Sequence, residues 1–224
     1  MTAPTTLAIT APPTPTLAIV GRDERFPVAT IYAFTGTYGA GRPEPAVFTK
    51  ARWSVVEDGA RLLYPAATTM FEPEIELVVA IGQTARDLSD AEAAKPCVFG
   101  YAVGLDMTRR DVQRAARNEG KPWDMAKSFD GATPMGAIHT AVNVGHPQEG
   151  AITLDVNGTR AQEGDLSQMG WSPLTLVAML SRQVTLRPGD LIFTGTPSGE
   201  VQLHFGDVLE GRVEGLGKLR VTIA

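Results

Sequence analysis

Short apolar segments of strand length recur along most of the chain, and they restrict it to a β-rich fold. Each segment is rich in Val, Ile, Leu or Phe and is bounded by residues that favour turns. Helices need longer stretches with apolar residues three or four positions apart, and few parts of the sequence have them, so strands should dominate. The predicted strands are Leu17–Val20, Ala29–Phe34, Ala46–Thr49, Glu74–Ile81, Val98–Leu105, Ala151–Val156, Asp190–Thr194, Val208–Val213 and Leu219–Ile223.

One pair of strands is predicted to form a tight hairpin. Asn157 and Gly158 stand between alternating flanks that extend from Ile152 to Arg160. A two-residue hairpin turn needs positive φ angles at both central positions, which Asn and Gly adopt readily. The sequence therefore predicts a turn at Asn157-Gly158.

Two segments have the features of helices. One follows Thr108, whose side chain is predicted to cap the helix, with Asp111 three residues on in the capping-box position. The other extends from Pro173 to Gln183, with Pro173 at a first-turn position. Its apolar residues are spaced for one buried face: Leu174, Val177 and Leu180 to Ser181.

Length and composition indicate one domain. The 224 residues are 43% hydrophobic, which is enough to bury one substantial core. Residues 1–16 are rich in Thr, Ala and Pro and have little apolar periodicity, so we predict a flexible N-terminal arm before a single domain over residues 17–224. Cys97 is the single cysteine, and we predict that it packs as a small hydrophobic residue.

The charge pattern argues against two classes of partner. The net charge is −5, and both signs are scattered along the chain, so there is no basic stripe for nucleic acid and no polybasic block for anionic lipid. The longest apolar runs fall far below the roughly 20 residues that cross a bilayer. The N-terminus has no secretory pattern, and we expect a cytoplasmic protein that binds neither nucleic acid nor membranes.

Three carboxylates are placed for metal chemistry. Glu74 and Glu76 stand two residues apart at the head of an apolar strand, so both side chains lie on one face. Asp106 ends a second apolar strand, just before a predicted helix. Burying two like charges is costly unless a proton or a cation neutralises them, and carboxylate oxygens suit Mg²⁺, Mn²⁺ or Ca²⁺. Spacing alone also allows a solvated strand face and a simple cap or turn role for Asp106.

These segments resemble the fumarylacetoacetate hydrolase superfamily, and the match continues along the chain from about residue 25 to the C-terminus. Within that superfamily they are most similar to the branch of fumarylpyruvate hydrolases and other acylpyruvases. The matching segments are Glu74 to Gly82, Gly100 to Gln113, Gly120 to Asp130, Gln162 to Asp165 and Pro188 to Pro197.

The resemblance implies an α+β, β-rich fold, a mixed β-sheet roll that usually forms a homodimer. It implies that Glu74, Glu76 and Asp106 bind Mg²⁺ or Mn²⁺ and that Lys127 lies beside a small 2-oxo acid. The keto acid would chelate the ion, which acts as a Lewis acid, and Lys127 would add positive charge near the developing anion.

Four residues complete the expected substrate site. Arg110 and Gln113 match the superfamily on the helix after Asp106, although Arg110 also suits a structural ion pair. Thr196 lies in a Gly- and Pro-rich loop after a strand, where its hydroxyl could hold a carboxylate or simply form part of a turn. Tyr38 aligns with the tyrosine of a Gly-Arg-Asn-Tyr segment in hydrolytic members, and Lys127 itself has the ordinary alternative of a solvated lysine.

The expected lid departs from the superfamily. Hydrolytic members carry a His and then a Glu on a short helical lid, but the His position falls here on Gly41, and the surrounding glycines disfavour a helix. Glu44 is a weaker substitute for the missing base, and the three histidines are expected to be surface or structural residues. A second departure is Glu200, in a loop where relatives usually have Gly-Val-Gly.

Three functions remain open from the sequence. The first is hydrolysis of a C–C bond in an acylpyruvate, which overall similarity favours. The second is decarboxylation or keto–enol isomerisation of a β-keto acid, which needs no activated water and is favoured by the missing lid histidine. The third is metal-dependent binding of a dicarboxylate without catalysis.

Overall fold

The computed structural model describes residues 12–41 and 43–224. The predicted flexible arm falls mainly on residues 1–11, which lie outside the described residues. Regular structure begins at Thr16, the first residue of the first strand. Within the described residues, no helix has the length and apolar character needed to cross a membrane.

Strands outnumber helices, as the sequence predicts. The helices are α1 (Ala91–Ala94), α2 (Arg110–Asn118), α3 (Ala141–Val144) and α4 (Pro173–Ser181). The strands are β1 (Thr16–Ala18), β2 (Arg25–Pro27), β3 (Ile31–Thr35), β4 (Ala46–Lys50), β5 (Val55–Glu57), β6 (Arg61–Leu62), β7 (Phe71–Glu72), β8 (Ile75–Ile81), β9 (Val98–Leu105), β10 (Thr108–Arg109), β11 (Thr133–Met135), β12 (His139–Thr140), β13 (Ala151–Val156), β14 (Thr159–Asp165), β15 (Leu191–Phe193), β16 (Val208–Val213) and β17 (Lys218–Ile223).

Two mixed sheets form the body of the fold. The larger has eight strands in the order β4-β3-β15-β8-β9-β11-β5, with β12 also paired to β9. The smaller has five strands in the order β14-β13-β16-β17-β6. Most pairs are antiparallel, and β15/β3, β11/β5 and β17/β6 are parallel. The architecture is the predicted α+β, β-rich mixed roll.

The central strand β8 is buried on both faces, and its alternation decides where the carboxylates lie. Ile75 and Leu77 belong to the core between the two sheets, whereas Val78 belongs to a second core on the opposite face of the larger sheet. Because side chains alternate along a strand, Glu76 lies on the same face as Val78.

Strand β9 pairs antiparallel with β8 and brings the third carboxylate to the same end of the sheet. The register places Glu76 opposite Gly104 and Ile75 opposite Leu105, so Asp106 follows directly beside Glu74. A Cβ at Gly104 would lie 2.7 Å from a ring carbon of Phe193, so the close packing here requires glycine.

The predicted hairpin at Asn157-Gly158 is confirmed. Asn157 and Gly158 have φ angles of 52° and 78° between β13 and β14.

The second predicted helix is also present, but it is more deeply buried than predicted. Helix α4 begins at Pro173, and the Ser172 side chain just before it accepts a hydrogen bond from the Thr175 amide. Every residue of α4 except Thr175 is buried, so the expectation of one buried face is wrong: the helix lies within the core.

The predicted capping role of Thr108 is wrong. Thr108 lies in β10, two residues before α2 begins, and its hydroxyl donates to the carbonyl of Asp106 at 3.3 Å. The Asp111 carboxylate accepts hydrogen bonds from the side chain of Thr68 and from both the amide and the hydroxyl of Thr69. Asp111 therefore fixes the segment of Thr68 and Thr69 to α2. Cys97 is buried and free, as predicted.

Candidate metal centre

The carboxylates of Glu74, Glu76 and Asp106 converge at one end of the central strand pair. One oxygen from each lies within 4.8 Å of the others. Glu74 immediately precedes β8 and Asp106 immediately follows β9, and the Asp106 amide donates to the Glu74 carbonyl at 2.9 Å. Glu76 and Asp106 are each only 1% exposed, so a solvated strand face and an exposed turn are both excluded.

The electrostatics of this group, the carboxylate trio, favour a cation. Burial, followed by the nearby charges of Asp106 and Glu74, raises the pKa of Glu76 well above its usual value. The Gly195 amide donates to Glu76 Oε2 at 2.5 Å and holds that side chain in place. Three hard oxygen donors fit a divalent ion of the Mg²⁺ and Mn²⁺ type, and they suit zinc or copper poorly.

Lys127 lies against the trio rather than in solvent. Its Nζ atom is 2.7 Å from Glu74 Oε2 and 2.7 Å from Asp106 Oδ2, and the residue is 2% exposed. Burial alone would lower the pKa of Lys127, but the charges of Asp106 and Glu74 outweigh it and raise the pKa. Lys127 is therefore a protonated, fixed cation at neutral pH.

Lys50 is a second buried lysine at the trio, and sequence analysis missed it. Its Nζ atom donates to Asp106 Oδ1 at 2.6 Å and also donates to the carbonyl of Lys127. Burial lowers the pKa of Lys50, against the opposing effect of Asp106. Lys50 ends β4, far along the chain from Asp106, so its position becomes apparent only when the sheet order is known.

Arg110 uses all three guanidinium nitrogens within the protein. Nε donates to Glu72 and Nη2 to Glu74, each at 2.6 Å, and Nη1 donates to Gln113 at 2.7 Å. Burial raises the pKa of Glu74, but Lys127 and Arg110 outweigh it and hold the pKa at about 2. Gln113 is 2% exposed, and its side-chain oxygen accepts from Arg110. Arg110 therefore holds Glu74 in place, and Gln113 holds Arg110 in place.

A cavity of about 880 Å³ opens beside the trio. Glu74, Glu76 and Arg110 contribute to its lining, and the remaining walls come from residues 34–40, Glu163, residues 167–170 and residues 196–200. Thr196 lines the cavity, and its hydroxyl accepts a hydrogen bond from Gln162 Nε2 at 3.1 Å. The size is that of a pocket for a small organic ligand.

Tyr38 carries a buried hydroxyl beside this cavity. Its oxygen is shielded from solvent and has no hydrogen-bond partner among the residues described. The backbone of Tyr38 forms a β-bridge with Met169, and Gly170 donates to the Thr37 carbonyl at 2.8 Å. Burial, Glu76 and Asp165 raise the pKa of the phenol, so it remains a proton donor at neutral pH.

The region where the resemblance places a lid contains neither a helix nor a histidine among its described residues. Residues 36–41 and 43–45 contain no helix, Glu44 is exposed, and it does not line the cavity. None of the three histidines lines it either: His139 lies in β12, His146 is hydrogen-bonded to Tyr101, and His204 is exposed. No histidine among the described residues therefore takes the place of the lid base.

Known proteins share both the sequence and the fold. The family model described as fumarylacetoacetate (FAA) hydrolase C-terminal matches residues 35–224. A fumarylpyruvate hydrolase from Ralstonia sp. is 40% identical over 176 residues, covering 79% of this chain and 91% of that protein. The mitochondrial oxaloacetate tautomerase of Homo sapiens is 38% identical over 173 residues, covering 77% of this chain and 78% of that protein.

A solved structure supports the same relationship. It is the fumarylpyruvate hydrolase from Pseudomonas aeruginosa in complex with Mn²⁺ and pyruvate, which superposes with a TM-score of 0.93 and is 41% identical. The superposition covers 97% of this chain and 99% of that one. The likeness therefore extends over nearly the whole of both chains.

Proposed function

Because the chain belongs to the fumarylacetoacetate hydrolase family, we propose that it is a divalent-metal enzyme that stabilises the enolate of a small 2-oxo or 2,4-dioxo acid. The observation that carries the proposal is the convergence of three carboxylates beside a cavity, with Lys127 fixed against two of them. Hydrolysis of a C–C bond in an acylpyruvate is the reaction that we favour, since a fumarylpyruvate hydrolase is among the relatives. We expect the enzyme to act as a homodimer.

Glu74, Glu76 and Asp106 would hold Mg²⁺ or Mn²⁺, and the Mn²⁺ complex of the Pseudomonas aeruginosa relative supports this choice. The bound ion supplies Lewis acidity for a chelating keto acid. Arg110 orients Glu74 by hydrogen bonding, and Gln113 orients Arg110, so we assign both residues to positioning rather than to direct substrate contact.

Lys127 has the central role among the chain's own groups. Its ammonium is fixed against Glu74 and Asp106 and does not itself line the cavity, so we propose that it acts on the developing negative charge through its field, which a dry, preorganised site makes strong. Thr196 and Tyr38 both line the cavity and would contact the substrate there. Both offer a hydroxyl, which suits a carboxylate or keto oxygen.

A second candidate function is tautomerisation or decarboxylation of a β-keto acid such as oxaloacetate. The observation that favours it is the combination of a lid region without histidine and a protonated phenol at Tyr38. Hydrolysis needs a base for water, whereas both alternatives need proton transfer to or from the enolate without activated water. The relationship to an oxaloacetate tautomerase agrees with this candidate.

Product analysis distinguishes the candidates. The purified protein with Mn²⁺ is incubated with fumarylpyruvate, acetylpyruvate and oxaloacetate, and the products are followed by NMR. Cleaved acids support hydrolysis, whereas CO₂ or faster keto–enol exchange supports the second candidate. Saturable binding of all three without turnover would contradict the proposed enzyme and support a dicarboxylate-binding protein.

Tyr38→Phe tests the hydroxyl at the cavity wall. We expect kcat/KM to fall about tenfold, since one neutral hydrogen bond to a buried partner contributes on the order of 1.4 kcal/mol. The melting temperature should not fall, because the hydroxyl has no partner among the described residues. Tyr64→Phe, at a half-buried position that packs against Phe71, is the control and should keep wild-type kinetics. Unchanged kinetics in Tyr38→Phe would remove Tyr38 from the substrate site.

A further inference from the structure

A second cavity lies at the opposite end of the same two central strands. Strand β8 begins beside the carboxylate trio and ends at Ile81, and β9 begins at Val98 and ends beside the trio. The second cavity has a volume of about 450 Å³, and Gly82 and Val98 are part of its wall. It is therefore separate from the metal centre, at the far end of β8 and β9.

The two cavities have opposite charge. Among the described residues, the cavity of the metal centre is lined by four carboxylates and a single cation, Arg110. The second cavity is lined by the cations Arg22 and Lys95, with no carboxylate among its described lining residues. This contrast occurs in a chain whose net charge is −5. A cavity of this kind favours an anion.

Arg22 is the cation best placed for a ligand. Its guanidinium lies 5.9 Å from the centroid of the Phe99 ring, and it forms no ion pair with any described residue. Lys95, by contrast, is already paired with Glu92 at 2.7 Å. The charge of Arg22 is therefore available to bind an anion, while Lys95 contributes a partly compensated field.

Two further polar groups converge on the same cavity. Thr140 is 4% exposed, and its hydroxyl has no hydrogen-bond partner among the described residues. His146 also lines the cavity, and its Nδ1 atom is hydrogen-bonded to the Tyr101 hydroxyl at 2.7 Å. Burying a hydroxyl without a hydrogen-bond partner costs free energy, which a bound acceptor would recover. The site therefore offers a donor without an acceptor.

The rest of the lining is apolar. Pro96, Val98 and Phe99 form part of the wall, and Val142 is 93% exposed at the rim. An inorganic anion would leave this surface uncovered, whereas an organic acid would cover it. We propose that the second cavity binds a small organic carboxylate with an apolar body, its carboxylate held by Arg22 and the Thr140 hydroxyl. The proposal is independent of the reaction at the metal centre.

Histidine NMR tests the proposal directly. The chain has three histidines, so the ring signals of His146 can be assigned by comparison with His146→Gln. The full-length protein, saturated with Mg²⁺ and oxalate at the metal centre, is titrated with benzoate to about 20 mM. We expect the His146 signals to shift and saturate with a Kd on the order of 1 mM, typical of a ligand this small. Benzamide and inorganic phosphate should bind at least about tenfold more weakly. Benzamide lacks the negative charge that Arg22 would bind, and phosphate lacks the apolar body that would cover the wall.

Variants then separate the two polar contacts. Arg22→Gln should weaken benzoate about tenfold without affecting benzamide, and Thr140→Val should weaken benzoate several-fold while preserving the side-chain shape. Arg86→Gln, an exposed arginine outside the cavity, is the control and should have no effect. Absence of His146 shifts, equal binding of benzamide or phosphate, or unchanged benzoate affinity in Arg22→Gln would each overturn the proposal.

Discussion

Glu76→Gln is expected to abolish divalent-metal binding and turnover while the fold remains intact. The substitution removes the central charge of the carboxylate trio but preserves the side-chain shape, so the amide oxygen can still accept from Gly195. We expect Mn²⁺ affinity to fall by at least about 100-fold, more than the effect of losing a group that only orients a ligand. Turnover should fall in parallel.

The metal-free stability of this variant has a definite expected sign. The folded-state pKa of Glu76 is raised, so in the metal-free protein the folded state favours the protonated carboxyl group, and the stability that this group contributes at acidic pH is lost as pH rises through the raised pKa. At neutral pH the neutral amide should therefore give equal or higher stability. Urea unfolding with EDTA measures this, and calorimetry with Mn²⁺ measures the affinity.

Glu163→Gln is the matched control for Glu76→Gln. Glu163 lines the same cavity with its side chain 71% exposed, and it lies outside the carboxylate trio. The Mn²⁺ affinity of the Glu163→Gln variant should remain close to that of the wild type. If Glu76→Gln keeps wild-type Mn²⁺ affinity and turnover, the proposed metal centre is contradicted.

Lys127→Met is expected to lower kcat by about 10²- to 10³-fold while metal binding is retained. The substitution keeps an unbranched side chain, one atom shorter, and removes the charge that would stabilise the developing enolate. Because the ammonium also neutralises Glu74 and Asp106, its loss leaves them with only Arg110 and Lys50 as cationic partners and should destabilise the metal-free protein by up to about 3 kcal/mol. Added Mn²⁺ should therefore raise the melting temperature of this variant more than that of the wild type.

Metal binding distinguishes the two variants, because Lys127→Met is expected to retain Mn²⁺ and Glu76→Gln is expected to lose it. Lys121→Met, in the same segment but 68% exposed, is the control and should keep wild-type turnover and stability. If Lys127→Met loses Mn²⁺ affinity to the same degree as Glu76→Gln, the lysine supports the ion rather than the substrate. Wild-type kcat would exclude it from catalysis.

Local patterns in the sequence predicted the strands that build the site. Strands β9, β13 and β16 have the predicted bounds, because each is long enough to show uninterrupted or alternating apolar character. Strands β6, β7 and β10 have two residues each, too few to produce any period, and they exist because a neighbouring strand supplies their hydrogen bonds. Such pairing cannot be derived from local sequence.

The carboxylate trio was predictable, and its supporting cations were only partly so. Two carboxylates at positions i and i+2 share a face in any regular strand, so Glu74 and Glu76 could be paired from spacing alone. Lys50 could not, because its contact with Asp106 depends on where β4 lies relative to the central strands. The capping role expected of Thr108 failed because β7 pairs with this segment and shifts the start of α2.

The carboxylate trio and the cavity walls belong to different parts of the molecule. The former flank or belong to two fully packed strands, β8 and β9, in the interior of the larger sheet, whereas three loop segments supply most of the walls. Loops accept substitutions and changes of length far more readily than buried strands do. Changes in the loops can therefore alter which ligand fits the cavity while the strands that hold the carboxylate trio keep their packing.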